Sequence, residues 1–150
     1  HVPLDRRIAV LLRLVCLFAA AHSLLGGSPI RISSFMSSEE GYNVDTYGNA
    51  LLEYESGQSA FLEWGFGMNY TNEIRVRSES GTVLVNRAFS KPASFMSEIE
   101  VRDSRGGIEI ISTGACNHFS SMFEQELEKT GIEWVSKQSV LIESIRRASN

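Results

Sequence analysis

Cysteine, histidine and proline are scarce in this 150-residue chain, with two, three and three copies respectively. Neither Cys16 nor Cys116 has Cys or His neighbours at metal-ligand spacing, which excludes the common structural zinc sites. Each cysteine sits in a segment that reads as packed, so two reduced, buried thiols are expected, in keeping with a cytoplasmic chain. Positive charge is also short: 14 Lys and Arg stand against 18 Asp and Glu, a net charge of −4. Nucleic acid, whose phosphates demand a basic surface, is therefore an unsuitable partner. No G-x-S-x-G nucleophile elbow occurs, and no carboxylates are spaced as a glycosidase pair. A G-x-G-x-x-G following a strand is missing too, so the dinucleotide fingerprint is not in this chain. Internal repeats and low-complexity stretches are lacking.

What is present is an ordinary globular composition, 43% apolar and 21% charged, at a length that suits one domain over residues 1–150. The clearest pattern runs from Tyr47 to Pro92, where apolar and polar residues alternate between glycine-marked reversals at Gly57 and Gly81. Ala50, Leu52 and Tyr54 point one way while Leu51, Glu53 and Glu55 point the other. Later, Ile74 and Val76 oppose Glu73, Arg75 and Arg77. A period of two puts successive side chains on opposite faces, which predicts a sheet with one buried face.

The N-terminal stretch admits two readings. Arg6-Arg7 followed by an apolar run to Leu25 has the layout of a targeting signal or a short membrane span. Arg13 lies inside that run, however, which is costly at a membrane centre. The favoured reading is a helix packed on the sheet, with Ile8, Leu11, Leu12, Val15, Ala19 and His22 at helical spacing and Gly26-Gly27 as its stop.

Beyond that helix, the segment after Pro29 reads as a strand, and the polar loop SSEEGYN leads into the meander. Two further strands, SEIEVRDS and IEIIST, flank a hairpin signal at Arg105-Gly106-Gly107. The period then changes. Phe119, Met122, Phe123 and Leu127 share a helical face ending at Gly131, and Trp134, Gln138, Leu141, Ile142 and Ile145 share another. Segregated strands and helices predict an α+β fold: an open, mainly antiparallel sheet of about six strands with helices packed on one face. The opposite face would display Glu53, Glu63, Trp64 and Arg75, as either a partner surface or a solvated one.

The meander GNALLEYESGQSAFLEWGFGMNYTNEIRVRSESGTVLVNRAFSKP resembles the C-terminal domain of the glucose–fructose oxidoreductase / inositol dehydrogenase / rhizopine catabolism family of NAD(P)-dependent oxidoreductases. The closing SMFEQELEK and SVLIESIRRAS resemble that family's last two helices, so the likeness spans roughly residues 24 to 150. The resemblance implies a substrate wall and an oligomer interface, with NAD(P) bound by a Rossmann domain that this chain lacks. Such enzymes move a hydride between nicotinamide and a sugar carbon while a base handles the hydroxyl proton. Relatives place Asp-x-Gly-x-His-x-x-Asp before the Leu-Leu-Gly kept here as Leu24-Leu25-Gly26. The matching positions are Arg13, Val15, Leu17 and Ala20, none of which is an acid–base residue. Ser90-Lys91-Pro92 reads as an ordinary turn and does not replace the family's Glu-Lys-Pro.

From these residues no catalytic, cofactor-binding or metal-ligating residue is expected. The candidates for facing substrate are Tyr70, Asn72, Asn117 and His118, each of which could equally be a turn, strand-edge or helix-start residue. His22 is isolated and reads as a packed or surface histidine. The expected function is the C-terminal substrate-binding and oligomerisation domain of an NAD(P)-dependent sugar, nucleotide-sugar or cyclitol oxidoreductase, inactive alone and excised or truncated from a longer protein. The alternative is a non-enzymatic self-assembly module. The expected partners are further copies of the chain through the open sheet face and, in a complete enzyme, a sugar-type substrate. A membrane partner is not expected.

Overall fold

Alternation in the sequence becomes a layered arrangement in the computed structural model, which describes residues 16–42, 45–89, 91–117 and 132–149. Strands β1 (Arg31–Ser37), β2 (Tyr47–Glu53) and β3 (Ser59–Gly65) pair antiparallel in that order. Their register aligns Ile32 with Leu52 and Ala60, Ser34 with Ala50 and Leu62, and Met36 with Gly48 and Trp64. These residues form one face because their positions share parity along each strand.

Two helices cover that face. Helix α1 includes residues 16–25 and helix α2 spans Ile132–Ala148. Phe18 and Ala21 of α1 and Ile145 of α2 share a core with Ala50, Leu52, Tyr54, Leu62 and Trp64, and Leu141 and Ile142 pack against it. Full burial of side chains such as Phe18, Leu52 and Ile145 contributes about 1.5–3 kcal/mol each. Helix α1 ends where expected: the Gly26 N–H donates to the His22 carbonyl at 2.8 Å, and both Gly26 and Gly27 have positive φ. Its buried stripe runs through Phe18 and Ala21, however, and Ala19 and His22 are only half-buried.

Strands β4 (Glu73–Ser78), β5 (Gly81–Asn86), β6 (Glu98–Asp103) and β7 (Ile108–Ser112) form a second antiparallel sheet in sequence order. Residues up to Met68 together with those from Gly131 onward make one compact unit, and Asn69–Thr130 makes the other. In the second sheet Ile74, Val85, Ile99 and Ile111 align across all four strands. The hairpin predicted at Arg105-Gly106-Gly107 is present, with the Asp103 carboxylate accepting from the backbone N–H groups of Arg105 and Gly107, each at 2.8 Å.

The α+β class, the antiparallel pairing and the helices on one face of a sheet stand as expected. Among the described residues the strands number seven and are hydrogen-bonded as two sheets, because residues 66–72 between β3 and β4 carry no ladder. Two expectations are corrected. Trp64 lies on the helix-covered face, 4% exposed, since its parity is that of Leu62 and opposite to that of Glu63. Cys116 is exposed and Cys16 half-buried, both free; Cys116 falls in the irregular, mostly exposed segment 113–117 that follows β7. Among the described residues, no helix is long and apolar enough to cross a membrane. Residues Ile8 to Val15, the stripe Phe119 to Leu127 with its stop at Gly131, and the Trp134 side chain lie outside what the structure describes.

Candidate functional site

Pairing of β4 with β5 sets Glu73 opposite Asn86, so the residues just beyond that pair, Asn72 and Arg87, meet at the sheet's end. Asn72 ties the two segments together. Its Oδ1 accepts from the Phe89 N–H at 2.8 Å, its carbonyl accepts from the Ala88 N–H at 3.3 Å, and its Nδ2 donates to the Tyr70 hydroxyl at 2.9 Å. Two of the residues singled out from sequence are therefore in direct contact. Asn117 is exposed on the segment after β7, and His118 lies outside the described residues.

Arg87 and Phe95 complete this cluster and were not anticipated. The Arg87 guanidinium lies 5.0 Å from the Tyr70 ring centroid and 5.6 Å from that of Phe95, within cation–π range of both. Among the described non-glycine residues, Arg87 alone has positive φ, at 55°, a conformation that costs a side-chain-bearing residue about 1–3 kcal/mol. Lys91 adds a second cation, its ammonium donating to the Phe95 carbonyl at 3.1 Å. The Phe95 N–H donates to the Pro92 carbonyl at 2.9 Å, so the Lys-Pro pair does open an ordinary turn. Tyr70 and Phe95 are 52% and 39% exposed, which leaves the cluster accessible. The only hint in the sequence was a pair of cations bracketing Phe89 in Arg87-Ala88-Phe89-Ser90-Lys91.

A second feature is the uncovered face of the β1–β3 sheet. Phe35, Leu51 and Phe61 are exposed there, bordered by polar groups. Arg31 makes a bidentate pair with Glu53 at 2.8 and 2.7 Å, and this hydrogen-bonded carboxylate pushes the guanidinium pKa above its ordinary value. The Tyr47 hydroxyl donates to Glu63 at 3.1 Å, and the Tyr47 and Phe35 rings lie 6.5 Å apart.

Neither histidine chemistry nor metal chemistry gathers at these places. His22 Nδ1 donates to the Gly27 carbonyl at 2.8 Å, closing the end of α1. Among the described residues, no group of three His, Cys, Asp or Glu could hold a metal ion. Leu17, matched above to the histidine of the resembled pattern, packs against the core, and Ala20 is half-buried. Arg13 and Val15 lie outside the described residues. Every described strand pairs antiparallel.

The described residues thus combine a helix-covered three-stranded sheet with a four-stranded sheet that carries a cation–aromatic cluster at one end. Residues 11–84 match the family model described as the GFO/IDH/MocA C-terminal domain, and the chain belongs to that family as such a C-terminal domain. The match begins within the apolar N-terminal run, so the run from residue 11 is part of the domain, further upstream than the sequence likeness reached.

A dTDP-3,4-didehydro-2,6-dideoxy-alpha-D-glucose 3-reductase of Saccharopolyspora spinosa is 32% identical over 97 residues, covering 65% of this chain and 29% of that protein. A D-xylose 1-dehydrogenase (NADP(+)) of Haloferax volcanii is 30% identical, covering 56% of this chain and 26% of that protein. Among solved structures, a 3-ketoreductase from Actinomadura kijaniata in complex with NADP and TDP-benzene aligns with a TM-score of 0.78 at 25% identity, covering 90% of this chain and 44% of that one. An aldose–aldose oxidoreductase from Caulobacter crescentus complexed with glycerol shares the fold, with a TM-score of 0.75 at 21% identity. The chain spans less than half the length of these relatives.

Proposed function

We propose that the chain serves as the substrate-binding and oligomerisation domain of an NAD(P)-dependent oxidoreductase acting on a sugar, nucleotide sugar or cyclitol. The observation that carries this reading is the match to the C-terminal domain over residues 11–84, together with relatives that are sugar-type oxidoreductases. In this reading the nicotinamide cofactor is held by a Rossmann domain outside these residues. Tyr70 and Asn72 face the substrate, and Asn117 and His118 are further contributors. With Leu17 and Ala20 standing at family acid–base positions, the 150-residue chain binds sugar without turning it over. Two free thiols accord with a cytoplasmic setting.

The exposed face bearing Phe35, Leu51 and Phe61 supports self-association through the sheet. An interface of standard size would bury about 800 Å² per partner. A purely structural self-assembly module is the second reading, favoured by that same face and by the missing acid–base residues.

Titration of the chain with D-xylose, D-glucose and a dTDP-sugar, alongside sedimentation measurements, tests both. Saturable sugar binding that weakens in Asn72→Ala is the expected result. Self-association without binding of any sugar would favour the assembly module. A strictly monomeric chain at high concentration would remove the oligomerisation role.

A further inference from the structure

Four arginines among the described residues have a carboxylate partner: Arg31 with Glu53, Arg75 with Glu73, Arg102 with Glu100 and Arg147 with Glu143. Arg87 has none among the described residues; its contacts are the faces of Tyr70 and Phe95. Stacking on aromatic rings occupies the faces of a guanidinium and leaves its edge N–H groups for planar or tetrahedral oxyanions. The backbone holds this charge in place despite the strain at φ 55°, because Asn72 binds the next two residues, Ala88 and Phe89, through its carbonyl and Oδ1. A glycine would occupy the same backbone conformation without strain, so the backbone itself does not call for arginine. Lys91 supplies a second cation nearby, its ammonium donating to the Phe95 carbonyl at 3.1 Å.

We infer that Arg87, clamped between Tyr70 and Phe95 and supported by Lys91, anchors an anionic group of the substrate, so that the site selects phosphorylated or carboxylated sugars over neutral ones. This rests on the sugar-binding reading above and narrows it to a charge class. The shared chemistry is an oxyanion, supplied either by a diphosphate or by a sugar carboxylate. Tyr70 and Phe95 present ring faces suited to stacking against the body of such a ligand.

The test is calorimetric titration of the 150-residue chain with TDP, inorganic pyrophosphate, D-glucuronate and D-glucose. Three variants accompany the wild type: Arg87→Gly, Arg87→Lys and Lys91→Gln. Arg87→Gly removes the guanidinium while suiting the backbone, so its melting temperature should hold or rise. Affinity for whichever anion binds should fall about tenfold or more in that variant. Arg87→Lys, which keeps the charge and loses the planar fork, should fall by an intermediate factor. Binding of TDP and pyrophosphate without glucuronate identifies the diphosphate as the source; the reverse identifies the carboxylate. Anion affinity unchanged in a folded Arg87→Gly variant, or no anion binding by the wild type, overturns the inference. D-Glucose binding that depends on Asn72 and ignores Arg87 would leave the sugar-binding reading intact while this inference fails.

Discussion

Trp64 lies across the sheet from Gly48, and its indole fills the space that a side chain at position 48 would need. A Cβ at Gly48 would fall well inside 3.0 Å of the ring. The pair is set by register, Gly48 facing Trp64 on the helix-covered side. Gly48→Ala should destabilise the domain by about 1–3 kcal/mol, the cost of overpacking a core, measured by urea unfolding. A variant as stable as wild type would mean that the indole moves aside freely. Trp64 Nε1 is buried with no hydrogen-bond partner among the described residues, so Trp64→Phe should cost less than the roughly 3–5 kcal/mol expected of Trp64→Ala.

Helix α2 meets the first sheet through Leu141, Ile142 and Ile145 and through a hydrogen bond at Ile145. Ile145 is 1% exposed, and its carbonyl accepts from the Ser34 hydroxyl at 2.6 Å. Ile145→Ala should lower stability by about 2–5 kcal/mol through the cavity it leaves. Ser34→Ala should have a smaller effect, about 1 kcal/mol. Equal losses from the two would show that the hydrogen bond, and not the packing, holds the helix.

The two thiols should react at unlike rates. Cys116 is exposed and Cys16 half-buried, and burial pushes the Cys16 thiol above its ordinary pKa of 9.0, which lowers its thiolate fraction near neutral pH. Iodoacetamide followed by peptide mass spectrometry should label Cys116 first. Faster labelling of Cys16 would show that α1 opens readily from the sheet.

Tyr54 introduces an alkaline dependence. Burial raises its phenol above the ordinary value of 10.0, so the folded state holds the proton more tightly than the unfolded chain. The stability linked to this difference is complete below the unfolded pKa and is lost as pH rises through the folded one. Wild-type stability should therefore drop above about pH 10, and Tyr54→Phe should flatten that drop. An identical alkaline profile in Tyr54→Phe would assign the effect to another group.

The strand limits around Ala50–Leu52 and Ile74–Val76 could be read locally, because alternation and glycine punctuation act over a few residues. Gly26-Gly27 marked the end of α1 for the same reason. Trp64 was misplaced because a large aromatic beside a charged residue fits either face, and only the pairing of β3 with β2 assigns its parity to the core. Cys116 was misjudged because apolar neighbours in sequence do not ensure a packing partner in space. Within the candidate site, Tyr70 and Asn72 were found by likeness to relatives. Arg87 was not, since a left-handed backbone at a residue other than glycine leaves no mark in the local sequence pattern.

The sequence by itself determined the antiparallel strands, the stop of α1 at Gly26-Gly27 and the α+β class, because these follow from short-range periodicity and turn chemistry. Tertiary structure alone decided which sheet face the helices cover and which residues meet at the end of β4 and β5. Asn72 and Phe89 are 17 positions apart, and no local pattern encodes that contact. Strand pairing brings them together, and the cluster of Tyr70, Asn72, Arg87 and Phe95 exists only after it has done so.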